Sequence, residues 1–214
     1  MKTLADIMAV IADDVDDTTG EYSDQIKRAV QAAQRYCERK TFYFNETRDE
    51  TFPTVDGQEW YGADDNANIP TLVRVVAAYS EDGQGQRTPL TRKHPDEIET
   101  LSDNSAASGE PYLWTYFNRQ IRLYPIPGAA PYTVRLQLGP YRLTVLDASG
   151  DTNAWLTEAY DMIKARAKYI LYKDTLKEAA LAAEALNDYR DQFVALKAET
   201  ASRNGSGIIR PTSF

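Results

Sequence analysis

Apolar residues recur at helical spacing near both ends of the chain and at strand spacing between them. Leu4, Ile7, Met8 and Ile11 fall three and four apart, which predicts a short amphipathic helix over residues 3–12 with Thr3 as its N-cap. The acidic loop DDVDDTTGE follows, and its Gly20 can adopt a positive φ. Ile26, Val30, Ala33 and Cys37 then form one stripe, predicting a second helix from about residue 22 to 40, capped by Ser23. The helical period returns near residue 153. There Leu156, Tyr160, Ile163, Ala167 and Ile170 share a face, behind Asn153 or Thr157 as the cap. A last helix, roughly 174–201, places Ala179, Ala182, Leu186, Tyr189, Phe193 and Leu196 at a and d positions. Its alanine-rich half, EAALAAEA, admits a close neighbour, whereas Tyr189 and Phe193 fill a wider gap. Such a stripe needs a partner, and the N-terminal helices are the candidates.

Between these ends the period shortens to that of strands. FYFNETRDETF alternates in pieces, IPTLVRVVAAYS is apolar and β-branched, and TPLTRK and LWTYFNRQIRLYPIP are strand-like around breaks. Turn chemistry separates them at VDG (55–57), EDGQG (81–85) and SGEP (108–111). HPDEIETLSD (94–103) reads as a short helix with Pro95 early and acids in its first turn. IRLYPIP (121–127) and YTVRLQL (132–138) look like two arms of a hairpin across GAAP (128–131). The fold class expected is α+β: a helical core from residues 1–40 and 153–202, and a β-rich insertion over 41–142, an antiparallel sheet or small sandwich. Residues 143–152 connect the two, and RNGSG releases an extended tail over 203–214.

Composition changes this picture in two places. With 24 basic against 32 acidic residues the formal charge is −8, which argues against gripping nucleic acid, since phosphate binding needs a basic surface or stripe. Solubility explains the charge, and an acidic wall beside DNA would repel it. The single cysteine, Cys37, excludes an internal disulfide framework and points to folding in a reducing cytoplasm; its place on an apolar stripe makes it a small buried residue. MKTLADIMAV does not read as a signal peptide, because Asp6 interrupts its apolar run, and no apolar stretch has the length to span a bilayer.

No catalytic signature stands out. DDVDD (13–17) and DDNAN (64–68) carry hard oxygen ligands, but neither has the glycine and glutamate spacing of a calcium loop, so both read as solvated loops and no metal or cofactor is assigned. There is no G-x-S-x-G turn and no phosphate loop. His94, the only histidine, precedes a proline at a helix start, a capping or surface position. Carboxylate pairs are too abundant in a chain with 32 acids to single out a glycosidase. The chain has 14 tyrosines, and Tyr43, Trp60, Tyr61, Tyr112, Trp114, Tyr116 and Tyr124 lie in the β block, where core and interface roles need no ligand.

The helix ending in CERKTFYF, then QEWYGADDNANIP, IRLYPIP with YTVRLQLGPYR, WLTEAYDMIKARAKYILYKD and the terminal GSGIIRP together resemble the head-to-tail adaptor (connector) proteins of tailed bacteriophages. The likeness is spread over nearly the whole chain and no single motif is diagnostic. It implies a virion protein made in the host cytoplasm, assembled as a ring of twelve subunits. That ring binds the portal protein above and tail or nozzle proteins below, with DNA passing through unbound, and it involves no membrane. The family brings no catalytic residues. In this setting the apolar tail beyond RNGSG is expected to dock on the portal, with Ile208, Ile209 and Phe214 as anchors and Arg210 as a charged contact. A tail-associated cell-wall glycoside hydrolase working through carboxylates is the alternative from another class; a β module binding glycans through its aromatics is a third.

Overall fold

The computed structural model describes residues 2–102, 107–129 and 132–205. Two helices come first, α1 (Leu4–Asp14) and α2 (Ser23–Cys37). Six strands follow: β1 (Thr47–Pro53), β2 (Trp60–Tyr61), β3 (Thr71–Leu72), β4 (Val75–Glu81), β5 (Arg87–Pro89) and β6 (Thr91–Arg92). After α3 (Pro95–Ser102) come β7 (Ser108–Gly109), β8 (Leu113–Phe117), β9 (Gln120–Tyr124), β10 (Ile126–Pro127), β11 (Thr133–Leu138) and β12 (Tyr141–Arg142). The chain closes with α4 (Ala154–Glu158), α5 (Tyr160–Ile170), a π-helical turn (Leu171–Leu176) and α6 (Ala179–Asn204). The fold is α+β. It divides into two units, one made of the residues up to Phe44 with those from Leu143 onward, the other of Asn45–Arg142.

In the helical unit the first cap is the one the sequence predicts. Thr3 Oγ1 accepts from the Asp6 N–H at 3.3 Å while Asp6 Oδ2 accepts from the Thr3 N–H at 2.8 Å, a reciprocal capping box. Those bonds, the backbone one foremost, hold the Asp6 carboxyl below its ordinary range. The start of α2 differs from expectation. Ser23 does not cap it, because its hydroxyl donates to the Gly20 carbonyl at 2.9 Å across a turn with Gly20 at φ +74°. The orphan N–H groups of Glu21 and Tyr22 are instead met by the two oxygens of Asp17, each at 2.9 Å. The helix stops at Cys37 rather than running to residue 40.

One buried cluster joins Leu4, Ile7 and Ile11 of α1 with Ile26, Val30, Ala33 and Cys37 of α2, and with Trp155, Ile163, Ala167, Tyr189 and Leu196 from the other end of the chain. Asn153 caps α4 by accepting from the Trp155 N–H at 2.9 Å; Thr157 does not serve. The single helix expected from there breaks at Ala159 into α4 and α5. The last helix also begins later than predicted. Asp174 and Thr175 lie in the π turn, Lys177 turns left-handed at φ +60°, and the Glu178 N–H closes on the Tyr172 carbonyl before α6 starts. Ala179 is accordingly exposed, whereas Ala182, Ala185, Tyr189 and Leu196 are buried.

The β-rich unit holds two four-stranded sheets, ordered β1-β11-β4-β5 and β2-β9-β8-β6. The first is antiparallel throughout; in the second β6 runs parallel to β8. Alternation in TVRLQL sends Val134, Leu136 and Leu138 inward, where they share a core with Phe52 and Ala78 of their own sheet and Tyr61, Trp114, Ile121 and Leu123 of the other. The hairpin expected across residues 128–131 does not form: β9 pairs with β8 and β2, whereas β11 pairs with β1 and β4. Pro125 and Pro127 have no N–H to give a ladder, and Ile126–Pro127 runs beside β7 instead. The tight hairpin lies earlier, between β8 and β9. Asn118 and Arg119 there have φ of +47° and +65°, the two left-handed positions of a type I′ turn, closed by the Phe117–Gln120 pair.

The predicted helix over residues 94–103 is present as α3. Ile98 packs with Leu113 and Tyr124, and Glu99 reaches the guanidinium of Arg122. Arg122 is nearly buried, also pairs with Glu59 at 2.9 Å, and lies 5.4 Å from the Trp60 ring. Alternation puts its side chain on the face opposite Ile121 and Leu123, toward α3, where two carboxylates compensate its charge.

Candidate partner-contact site

The C-terminal turns of α6 set where the remaining chain leaves the helical unit. Lys197 Nζ donates to the Thr41 carbonyl at 2.8 Å and lies 5.2 Å from the Phe42 ring centroid. Phe42 is fully buried and sits among Phe44, Trp155 and Phe193 at 5.7–5.8 Å between centroids. Nearly two turns further on, Arg203 stacks on the Tyr43 ring at 3.8 Å and is held by Glu199 Oε1 at 2.5 and 3.0 Å. The Tyr43 hydroxyl donates to Glu158 Oε2 at 2.5 Å. Burial first, then this bond and the Glu158 charge, push the Tyr43 phenol up to about 12, so it remains a donor at neutral pH.

Gly205 then turns to extended backbone, φ −74° and ψ 136°, and ends the helix. The residues read as portal contacts from sequence, Ile208, Ile209, Arg210 and Phe214, lie outside the described residues. What the structure places is the anchor immediately before them. Tyr43, Glu158, Lys197 and Arg203 were not legible as a group. Only Glu199 and Arg203, four apart on one helix, leave a local trace; Tyr43 and Glu158 are 115 positions apart.

Glu158, Asp161 and Glu199 line a groove of about 260 Å³ beside Gln192 and Leu196. Each carboxylate has a protein partner: Tyr43 for Glu158, Lys164 at 3.6 Å for Asp161, and Arg203 for Glu199. The arrangement fastens helices together. The acidic loops serve the backbone in the same way. Asp17 accepts from the Glu21 and Tyr22 N–H groups just ahead of α2, Asp14 pairs with Lys168 at 2.9 Å, and Asp65 accepts from the Gly62 N–H at 2.7 Å. Among the described residues no three His, Cys, Asp or Glu side chains gather as a metal site.

Cys37 is buried, and desolvation pushes its thiol up to about 12, far from a reactive thiolate. His94 is exposed at the start of α3, where its Nδ1 faces the Asp96 N–H at 3.4 Å. Three tyrosines of the β-rich unit brace backbone: Tyr61 donates to the Gln58 carbonyl at 2.9 Å, Tyr116 to that of Leu72 at 3.1 Å, and Tyr124 to that of Leu101 at 3.3 Å. Tyr112 and Phe117 remain exposed. No helix among the described residues is long and apolar enough to cross a membrane.

A search of curated proteins finds no match to this sequence. A family model described as SU10 adaptor protein matches residues 2–211.

Proposed function

The chain belongs to the SU10 adaptor protein family, a family of phage structural adaptors, and from that membership we propose that it is the head-to-tail adaptor of a virion. Twelve copies form a ring beneath the portal, join it to downstream tail or nozzle proteins, and surround the path of the genome. The observation that carries this reading is the match of the family model from residue 2 to residue 211. The formal charge of −8 supports it, because a conduit lined by net negative charge does not retain the DNA that moves through it. No catalytic step is assigned: the groove carboxylates, the thiol and the histidine all have structural engagements.

Attachment to the portal is assigned to the segment after Gly205, with Ile208, Ile209 and Phe214 as apolar anchors and Arg210 as the charged contact. The fixed end of α6 supports this, since an anchored exit limits the volume a short tail must search. Truncation after Asn204 tests it. The shortened protein should fold with an unchanged circular dichroism spectrum and fail to be retained by immobilised portal rings. Undiminished retention would remove the tail from the contact, and electron microscopy of the particle showing no ring of this chain below the portal would remove the adaptor reading.

A further inference from the structure

Arg166, on α5, is the centre of an unusual cluster in the helical unit. Its guanidinium lies 3.9 Å from the ring centroid of Tyr36, 4.8 Å from that of Tyr169 and 5.3 Å from that of Tyr189. Its Nε is buried with no hydrogen-bond partner, and no carboxylate pairs with it among the described residues. Two other partly buried cations of this unit have acids, Lys27 with Asp147 and Lys168 with Asp14, each at 2.9 Å, whereas Lys197 donates to a backbone carbonyl. Arg35 and Arg39, on either side of Tyr36 in sequence, are exposed and also have no ion-pair partner among the described residues.

A helix dipole accounts for cations at the end of α2, but it does not reach Arg166, which belongs to another helix. A guanidinium fixed on tyrosine faces, with open donors and a half-exposed ring beside it, has the composition of a protein contact centre. The complementary surface is in the same chain. Asp13, Asp16, Glu21 and Asp24 are exposed at the other end of α2 and have no ion-pair partner among the described residues. The 15 residues of α2 span about 22 Å, which separates Glu21 and Asp24 from the arginines at its other end.

We propose that the Arg166–tyrosine cluster, flanked by Arg35 and Arg39, receives carboxylates from the Asp13–Asp24 end of a second copy of this chain. A cationic end on one copy meeting an acidic end on the next is a heterologous contact, and repetition of such a contact closes a ring. This rests on the ring-forming reading above and adds to it the surface through which neighbours meet. A nucleic acid fits less well, since a phosphate backbone would lie against a chain of net charge −8.

Two measurements on purified virions test it. First, the wild-type protein is treated with phenylglyoxal, free and assembled, and Arg166 modification is read by mass spectrometry; assembly should abolish it. Second, Arg166→Lys virions, from copies grown with mixed nitrogen isotopes, are treated with a water-soluble carbodiimide. The new lysine should lose water with Asp13, Asp16, Glu21 or Asp24, giving an amide whose peptide carries both isotopes. Modification of Arg166 that is equal in both states overturns the proposal even where rings are present, leaving the ring reading intact. So does protection with a cross-link to another protein's carboxylate, or protection with no cross-link, which is the nucleic-acid outcome. A chain found never to contact its own copies defeats both readings. Should Arg166→Lys fail to assemble, the wild-type protection result decides.

Discussion

Replacing Phe42 with alanine tests the anchor that fixes the end of α6. The ring is fully buried and meets Phe44, Trp155 and Phe193 at 5.7–5.8 Å between centroids, with Lys197 over one face. Truncation exposes about 100 Å² less apolar area to burial, worth about 2.5 kcal/mol at the usual ~25 cal/mol/Å². The aromatic pairs and the residual cavity raise the loss to about 3–5 kcal/mol, the range for buried Phe→Ala changes. In a chain of this length each kcal/mol lowers the melting midpoint by about 2–4 °C, so about 4 kcal/mol corresponds to a fall of roughly 8–16 °C. Urea unfolding followed by far-ultraviolet circular dichroism at the helical wavelength measures the loss. The cycle with Phe193→Ala should show coupling of about 0.5–1.5 kcal/mol. A loss below about 1.5 kcal/mol, with additive single mutants, would refute the claim that these rings form one packed node. Under the proposed function the same variant should also weaken portal retention with its tail intact, because the tail would leave from a loosened helix.

Cys37, its thiol pushed up to about 12, should not react with a disulfide reagent at pH 8 until urea unfolds the protein; native reaction at a free-thiol rate would contradict the burial argument. Arg122→Met should destabilise the β-rich unit by about 2–4 kcal/mol, because it leaves Glu59 and Glu99 facing each other without a cation, and Arg122→Lys should recover little. Equal stability of all three proteins in guanidinium would show the pair network to be incidental. Replacing residues 47–134 with a glycine-serine linker should leave a helical protein by circular dichroism, as expected if the chain ends fold without the insertion; a spectrum without helix would sink that proposal.

What was legible in the sequence was periodicity, and what was not was geometry set by distant residues. The stripe Ile26–Val30–Ala33–Cys37 and the N-cap at Thr3 are local, and both are present. The α+β class follows from the change of period alone. The cap expected at Ser23 is absent because its hydroxyl donates to the Gly20 carbonyl, and α2 starts without a side-chain cap, a choice set by the turn at Gly20. The hairpin was misplaced for a related reason. Asn118–Arg119 lacks the glycine that marks a left-handed turn, whereas two prolines and GAAP imitate one ten residues later. The π turn is invisible to a search for a and d positions, which runs straight through Lys177. The anchor of Tyr43 on Glu158, and the three tyrosines around Arg166, join positions with no sequence period between them.

The acidic surplus gains meaning once the acids are sorted by what they touch. Asp6, Asp17, Asp65 and Asp151 are occupied by backbone N–H groups at helix starts and turns. Asp14, Glu59, Glu81, Glu199 and others are occupied by cations. These residues belong to the fold, and a count of charge cannot distinguish them from a functional surface. Other exposed acids, Asp56, Asp64, Glu178, Glu184, Asp188 and Asp191 among them, have no ion-pair partner among the described residues. Asp13, Asp16, Glu21 and Asp24 have neither kind of cation partner among the described residues, and they collect at one end of α2. Arg35, Arg39 and Arg166 lie toward the other end and have no acid partner among the described residues, as is true of Arg28 and Lys177 elsewhere. Unpaired charge of opposite sign, separated by the length of one rigid helix, is what a chain would carry if its pairing were completed by its neighbour.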